Sequence, residues 1–435
     1  MRDLLEKTIA QVKNQGAEGD LVYQSSKNLK LSAFGNELSE YKVSGTQTLG
    51  LRVIKDKKIG IAFTEALDKD SLDLLVKRAI ENAKASSVNE YEEISTESGE
   101  VEDSELIPEE VDVDLKVAKV VNLLNEFKKK DARVESLPYN GYAENENFNY
   151  FMSTNGRLIQ RKDQFMQAWA MPLIKDGNKK STFYDNLISK QFSSLHWNEL
   201  IEKTTDLAAS FLSSTHLNTG RYHVEFTTDS LSDLFQMFSG VFTGKTVVNK
   251  VNAWQNLVGK QVLHEDLTLV DDTNFKDSFS HYQCDGEGYR HVPTTLIENG
   301  VLRTFLHNSA TAKELGVANT FHAVRSPGSP LGVGRTNFIL KSQKTHSFND
   351  SYIEIVQMDG LFSGGNAITG DFSCGVKGFL HQNGEKIPFA DVTLSGNFFE
   401  MMKNLSVTDS ALRADPGLSL FVPRMIFHDL SIAGK

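Results

Sequence analysis

VPTTLIENGVLRTFLHN, Val292 to Asn308, sets two runs of apolar and β-branched residues on either side of Asn299-Gly300. Asn-Gly suits a two-residue hairpin turn, in which both central residues take positive φ and the strands leave antiparallel. The same dipeptide stands at Asn155-Gly156 and at Asn383-Gly384, again between runs rich in apolar or β-branched residues. These signals predict a β-rich chain from Tyr139 onward, paired mostly in hairpins.

Upstream of Tyr139 the period changes. Arg2 to Lys13 places Leu4, Leu5, Ile9 and Val12 on one helical face. Ser71 to about Lys84 carries Leu72, Leu75, Val76, Ala79 and Ile80 in the same way, and Val113 to Lys129 carries Val117, Val120, Leu124 and Phe127. Strand-like runs lie between the first two helices, at Leu21 to Gln24, Thr46 to Val53 and Ile59 to Phe63. A fourth helix is predicted from about Asn198 to Leu212. The expected class is α+β in two domains. An N-terminal domain of helices and antiparallel sheet covers 1–219, and a β-rich C-terminal domain covers 220–435.

A chain of 435 residues is too long for one ordinary core, which agrees with two domains. There is no run of roughly 18 apolar residues to span a membrane. The N-terminus mixes charges through its helical repeat, unlike a signal peptide. Two cysteines make no disulfide framework, and the expected compartment is the cytoplasm. The net charge of -11 is local in origin, because residues 89–114 hold twelve acids and no Lys or Arg. The remainder balances, 45 acids against 46 bases, so no basic stripe favours nucleic acid. The acidic stretch itself is expected to be a solvated linker, with partner docking as the alternative.

Several motifs fail on spacing. The closest histidines in sequence, His216 and His223, are seven residues apart, and Thr268 stands where His264-Glu265 would need a second His. The eleven histidines are therefore expected to be single surface or packing residues. Gly240 to Thr246, GVFTGKT, has three residues between its glycines where a phosphate loop needs four. Asp371 occupies the first glycine position of a nucleophile elbow around Ser373. Gly360 to Phe379, GLFSGGNAITGDFSCGVKGF, holds six glycines around Cys374 and is expected to floor a groove that a ligand enters closely. Cys284 is a second thiol, and a shared cleft with Cys374 is one arrangement open to it.

LTLVDD at Leu267 to Asp272, CDGEG at Cys284 to Gly288, TTLIENGVLRTFL at Thr294 to Leu306, TGDFSCGVKGF at Thr369 to Phe379 and VTLSGNFFEMM at Val392 to Met402 follow one another in the second half. In this order and spacing they resemble the TldD/PmbA family, known as modulators of DNA gyrase and including metalloproteases. The likeness covers nearly the whole chain. It implies a choice between two branches. TldD-like members carry an HExxxH zinc helix early in the second domain, completed by a cysteine near the C-terminus, and TldE/PmbA-like members lack the motif and pair with a TldD-like partner. Against that helix, Leu234 to Lys245 puts Phe235 at the first His, Gln236 at the Glu and Gly240 at the second His. A phenyl ring and a glycine offer zinc no donor, and a Gln amide takes no proton from bound water.

The resemblance is therefore to the TldE/PmbA-like branch. It implies a subunit of a cytoplasmic metalloprotease system with no catalytic zinc residues or cofactor of its own. Zinc is expected in a TldD-like HExxxH partner, the assembly being that heterodimer or a homodimer. The implied substrate is an extended, unfolded peptide, with Asp371, Ser373, Cys374 and Gly375 as groove residues whose backbone N–H groups act as donors. Cys374 matches the cysteine ligand position, and is expected to be a buried inert thiol, with a redox or partner-site role as the alternative. Two other functional readings stay open. One is an independent hydrolase using Cys374 and a distant histidine. The other is a peptide-binding homodimer without proteolysis.

Overall fold

The computed structural model describes every residue except Glu105 and Pro108. Amphipathic α1 (Arg2–Asn14) leads into a long hairpin, β1 (Glu18–Phe34) and β2 (Glu37–Lys55), followed by β3 (Lys58–Thr64) and α2 (Lys69–Ala85). The side chain of Asp68 caps α2 by accepting the Ser71 N–H. Next come β4 (Gly99–Ser104), α3 (Val113–Lys130), the hairpin β5 (Val134–Ser153) and β6 (Arg157–Asp176), the short β7 (Lys179–Thr182) and β8 (Asp185–Ser189), and α4 (Trp197–Phe211). The sheet order is β3-β2-β1-β5-β6-β4, antiparallel except for the parallel β4–β6 pair.

Side chains alternate across a strand, so β1 has two different faces. Leu21 and Tyr23 pack with α1 and α2, and Leu29, Leu31 and Ala33 pack with α3 and α4. All four helices thus cover one face. Val22, on the opposite face, packs with Val101, Phe151 and Ile159. That helix-free face looks toward the second half of the chain.

The second half opens with β9 (Gly220–Phe226), α5 (Thr228–Met237), α6 (Gly244–Val248) and β10 (Leu267–Asp271). The hairpin of β11 (Thr294–Glu298) and β12 (Val301–Leu302) turns at Asn299-Gly300, and α7 (Ser309–Leu315), β13 (Ala323–Val324), β14 (Gly332–Val333) and β15 (Phe338–Ser342) follow. The chain ends with β16 (Tyr352–Asp359), α8 (Leu361–Gly364), β17 (Asp371–Gln382), β18 (Glu385–Asn397), α9 (Phe398–Met401), β19 (Leu405–Ala414) and β20 (Leu420–Ala433). β20 pairs with both β18 and β9, so β9, β16, β17, β18 and β20 close on themselves. A phenylalanine-rich core is built against this ring, with Phe235, Phe238, Phe242, Phe338 and Phe398 all fully buried.

The α+β class is as the sequence indicates, and each Asn-Gly pair sits at a hairpin turn. The acidic stretch 89–114 differs from the expected solvated linker. It contributes β4, and its acids meet cations of the folded body. Asp103 Oδ2 accepts Arg161 Nη1 at 3.0 Å, and Glu92 Oε2 accepts Arg52 Nη1 at 3.0 Å. Of this stretch, Glu105 and Pro108 lie outside the described residues.

The two halves meet through buried charge. Asp20 and Arg52 face each other across the β1–β2 ladder, and Arg325, from the second half, places Nη2 2.9 Å from Asp20 Oδ1. All three side chains are at most 1% exposed. Gly50 permits this approach, since a Cβ there would lie 1.8 Å from the Pro327 carbonyl oxygen.

Candidate functional site

A cavity of about 810 Å³ lies between the helix-free face of the first sheet and the loops that run from Phe279 to Asn337. Gln24, Ser26 and Thr48 line it from β1 and β2, and Asn149 from β5. These are neutral hydrogen-bonding side chains on the face that the helices leave open. Arg161, on β6, is held at the rim. It donates Nη1 to the His281 carbonyl at 2.7 Å and Nε to Asp163 at 3.0 Å, and its guanidinium lies 3.7 Å from the Tyr282 ring centre.

The opposite wall carries Cys284, Asp285 and Gly286 of the CDGEG segment, with Asp271 of the LTLVDD segment behind His322 and Thr336. Asp285 accepts the backbone N–H groups of Glu287 and Tyr289 at 3.0 Å and of Ala323 at 3.1 Å, and so ties the 284–289 turn to β13. Burial, followed by the negative charge of Glu287, raises the Asp285 carboxyl well above its ordinary range. Glu287 takes the N–H and hydroxyl of Ser309 at the start of α7. These acids order the wall, and the backbone donors occupy Asp285. Asp271, fully buried at the end of β10, accepts the N–H and hydroxyl of Thr336 and lies 3.1 Å from His322 Nε2. His291 stands against His322, with ring centres 5.5 Å apart. Burial and then the charge on His322 push His291 down to about 4.

Four of the eleven histidines are therefore not single. His291 and His322 form one pair, and His223 forms another with His428, Nδ1 to Nδ1 at 3.0 Å. Strand pairing of β9 with β20 makes the second contact, across 205 residues of sequence. Among the described residues no group of three or more His, Cys, Asp or Glu side chains is arranged to hold a metal ion.

Asp371, Ser373, Cys374 and Gly375 all fall at the start of β17 and do not form one groove. Cys374 points into the core, and Asp371 and Ser373 are exposed on the other face. Asp371 accepts Asn397 Nδ2 and Thr369 Oγ1, each at 2.8 Å, and Ser373 shares a hydrogen bond of 3.0 Å with Ser395. The backbone expected to receive a peptide is already paired with β18 on one side and bridged through Phe372 to Gly365 on the other. Burial, reinforced by Asp359, pushes the Cys374 thiol up to about 11. The glycines of this block serve close packing of the chain on itself. A Cβ at Gly378 would lie 1.8 Å from the Glu354 carbonyl oxygen. Cys284 does not share a cleft with Cys374. It lines the inter-sheet cavity, where Arg157 Nη2 donates to its Sγ at 3.2 Å, and burial raises its thiol despite that cation.

Phe235, Gln236 and Gly240 are equally far from a zinc helix. α5 ends at Met237, and Gly240 sits in a separate 3-10 turn, Ser239–Phe242. Phe235 is fully buried, stacked on Phe242 and edge-on to Phe338 and Phe398. Gln236 faces solvent. A zinc ion does not fit this set, in which the only metal donor of consequence is one protonated thiol.

Residues 219–434 match the family model described as the PmbA/TldA metallopeptidase C-terminal domain, and residues 19–83 match the one for PmbA/TldA metallopeptidase domain 1. The chain belongs to the PmbA/TldD family. Among PmbA/TldD relatives it is 22% identical to metalloprotease PmbA of Escherichia coli O157:H7, over 100% of this chain and 97% of that protein. It is 24% identical to the metalloprotease PmbA homolog of Haemophilus influenzae, over 91% and 88%. The same PmbA/TldD fold is seen in a putative modulator of a DNA gyrase from Thermotoga maritima, with TM-score 0.85, 23% identity and coverage of 99% and 100%. TldE from Thermococcus kodakarensis superposes with TM-score 0.83 at 18% identity, covering 99% and 100%. The relatives place the chain in a peptidase family.

The sequence reading missed the cavity. CDGEG was visible as a family marker, but Arg161, His322, Arg325 and Arg335 carry no periodicity or spacing that joins them. Only the packing of the two sheets does so.

Proposed function

We propose that this chain is a TldE/PmbA-like subunit of a metalloprotease system, holding extended peptide while an HExxxH-bearing partner supplies the zinc. The observation that carries this reading is Phe235, locked in an aromatic core where the zinc helix of the TldD-like branch has its first histidine. Gly240 lies beyond the end of α5, so the two positions do not share a helix face. The neutral, hydrogen-bonding wall of the inter-sheet cavity supports binding of peptide amides without side-chain selection. No helix among the described residues is long and apolar enough to cross a membrane, and the cytoplasm is the compartment proposed.

The reading of Cys374 as a nucleophile has little physical support. A thiol near 11 is protonated at neutral pH, and its surroundings are apolar. The test is to purify the chain alone and together with an HExxxH paralogue from the same genome. The chain alone is expected to carry no stoichiometric zinc and to leave unfolded peptide intact, and the mixture to hydrolyse it in a chelator-sensitive way. Zinc-dependent hydrolysis by the isolated chain would overturn the proposal.

A further inference from the structure

Arg335 lies on the cavity wall between β14 and β15. Its Nη1 donates to the Ser419 carbonyl at 3.1 Å, and its guanidinium sits 5.3 Å from the Phe338 ring centre. Among the described residues no carboxylate lies within ion-pair distance of it. The acids that act on it from nearby are Asp415 and Asp271. Both are already occupied by other donors. Asp415 accepts the backbone N–H groups of Ser419 and Leu420 and the hydroxyl of Ser232, and Asp271 accepts Thr336 and faces His322.

The other acids on the cavity are likewise engaged. Asp103 and Asp163 meet Arg161, and Asp285 is saturated by three backbone donors. Deeper in the same wall, Arg325 pairs among the described residues only with Asp20, and its Nε and Nη1 make no hydrogen bond there although the side chain is 1% exposed. Arg335 is half-buried with no carboxylate paired to it among the described residues, and a planar two-oxygen anion offsets the cost of that with paired, charge-assisted hydrogen bonds. Facing this cationic end, Gln24, Ser26, Thr48 and Asn149 present neutral donors and acceptors. The volume falls in the range of about 300–1000 Å³ that encloses a small ligand, and so suits the last few residues of a chain.

We propose that the inter-sheet cavity binds the free C-terminal carboxylate of an extended peptide, with Arg335 as its anchor. This rests on the peptide-holding role above and narrows it to chain ends. The anchor selects a terminus by charge, while the neutral wall accepts the amides that precede it.

The test is fluorescence anisotropy on the full chain with an N-terminally labelled octapeptide of Gly, Ala and Ser, made once with a free C-terminus and once as the C-terminal amide. The acid is expected to bind at least ~10-fold more tightly, the size of one charge-assisted pair. Arg335→Gln is expected to remove that difference, and Arg335→Lys to keep part of it. Thermal melts of both variants check that the fold persists. Equal binding of acid and amide, or a preference that survives Arg335→Gln, would overturn the anchor and leave the peptide-holding role standing. Failure of both peptides to bind the native chain would remove both.

Discussion

Phe235 stands where the resemblance puts the first zinc histidine of the TldD-like branch, and it is packed as core. Three aromatic rings lie within 6.3 Å of its ring centre, so it fills a packed volume rather than a vacancy left by a lost histidine. Phe235→Ala is expected to cost about 3–5 kcal/mol, read as a lower urea midpoint at unchanged slope. A loss under about 1 kcal/mol would mean that this part of α5 is not core. The absence of zinc donors at 235, 236 and 240 was legible in sequence, because it depends only on residue type. Whether Cys374 is reactive was not. Its thiol is raised by the neighbours that bury it, and those arrive with β16, β18 and the aromatic core from distant parts of the chain.

Among the elements, helices and hairpins were readable because their signals are local. The 3.6-residue period of α1 to α4 and the turn chemistry at 155–156, 299–300 and 383–384 act within a few residues. β4 was not readable, since its sequence, GEVEDS, is mostly acidic and becomes a strand only beside β6, where Arg161 meets Asp103. α6 shows a second non-local constraint. A Cβ on Gly244, its first residue, would lie 2.2 Å from His307 Nδ1, so the glycine makes room for a buried imidazole just before α7. Gly244→Ala is expected to destabilise by about 1–3 kcal/mol through overpacking, despite the better helix propensity of alanine. The variant should regain part of that loss when combined with His307→Ala, a coupling that a double-mutant cycle in urea measures.

For the molecule as a whole, two imidazoles of the second half contribute to the response to acid. His291 and His307 are each held near 4, first by burial and then by the charge on His322, against an ordinary value of 6.5. Between those values the unfolded chain binds more protons than the folded one, so stability present above pH 6.5 is lost as pH falls toward 4. By pH 5 the loss amounts to about 1–2 kcal/mol for each ring. Thermal melts from pH 7 to pH 5 should show a falling midpoint, and His291→Gln should flatten that slope. An unchanged slope in the variant would mean that His291 is already solvated.

The sequence by itself determined the class of each long element, the positions of the hairpin turns, the family likeness and the lack of zinc donors on the expected helix. These follow from local periodicity and side-chain chemistry. Only the tertiary structure assembled the candidate site. Gln24, Arg161, His322 and Arg335 are brought to one cavity by the stacking of the first sheet's open face on the loops of the second half. Which charges there meet an opposite charge, and which do not, depends on residues far away in the chain. No spacing rule encodes that, because the energy resides in long-range burial and pairing rather than in the order of residues.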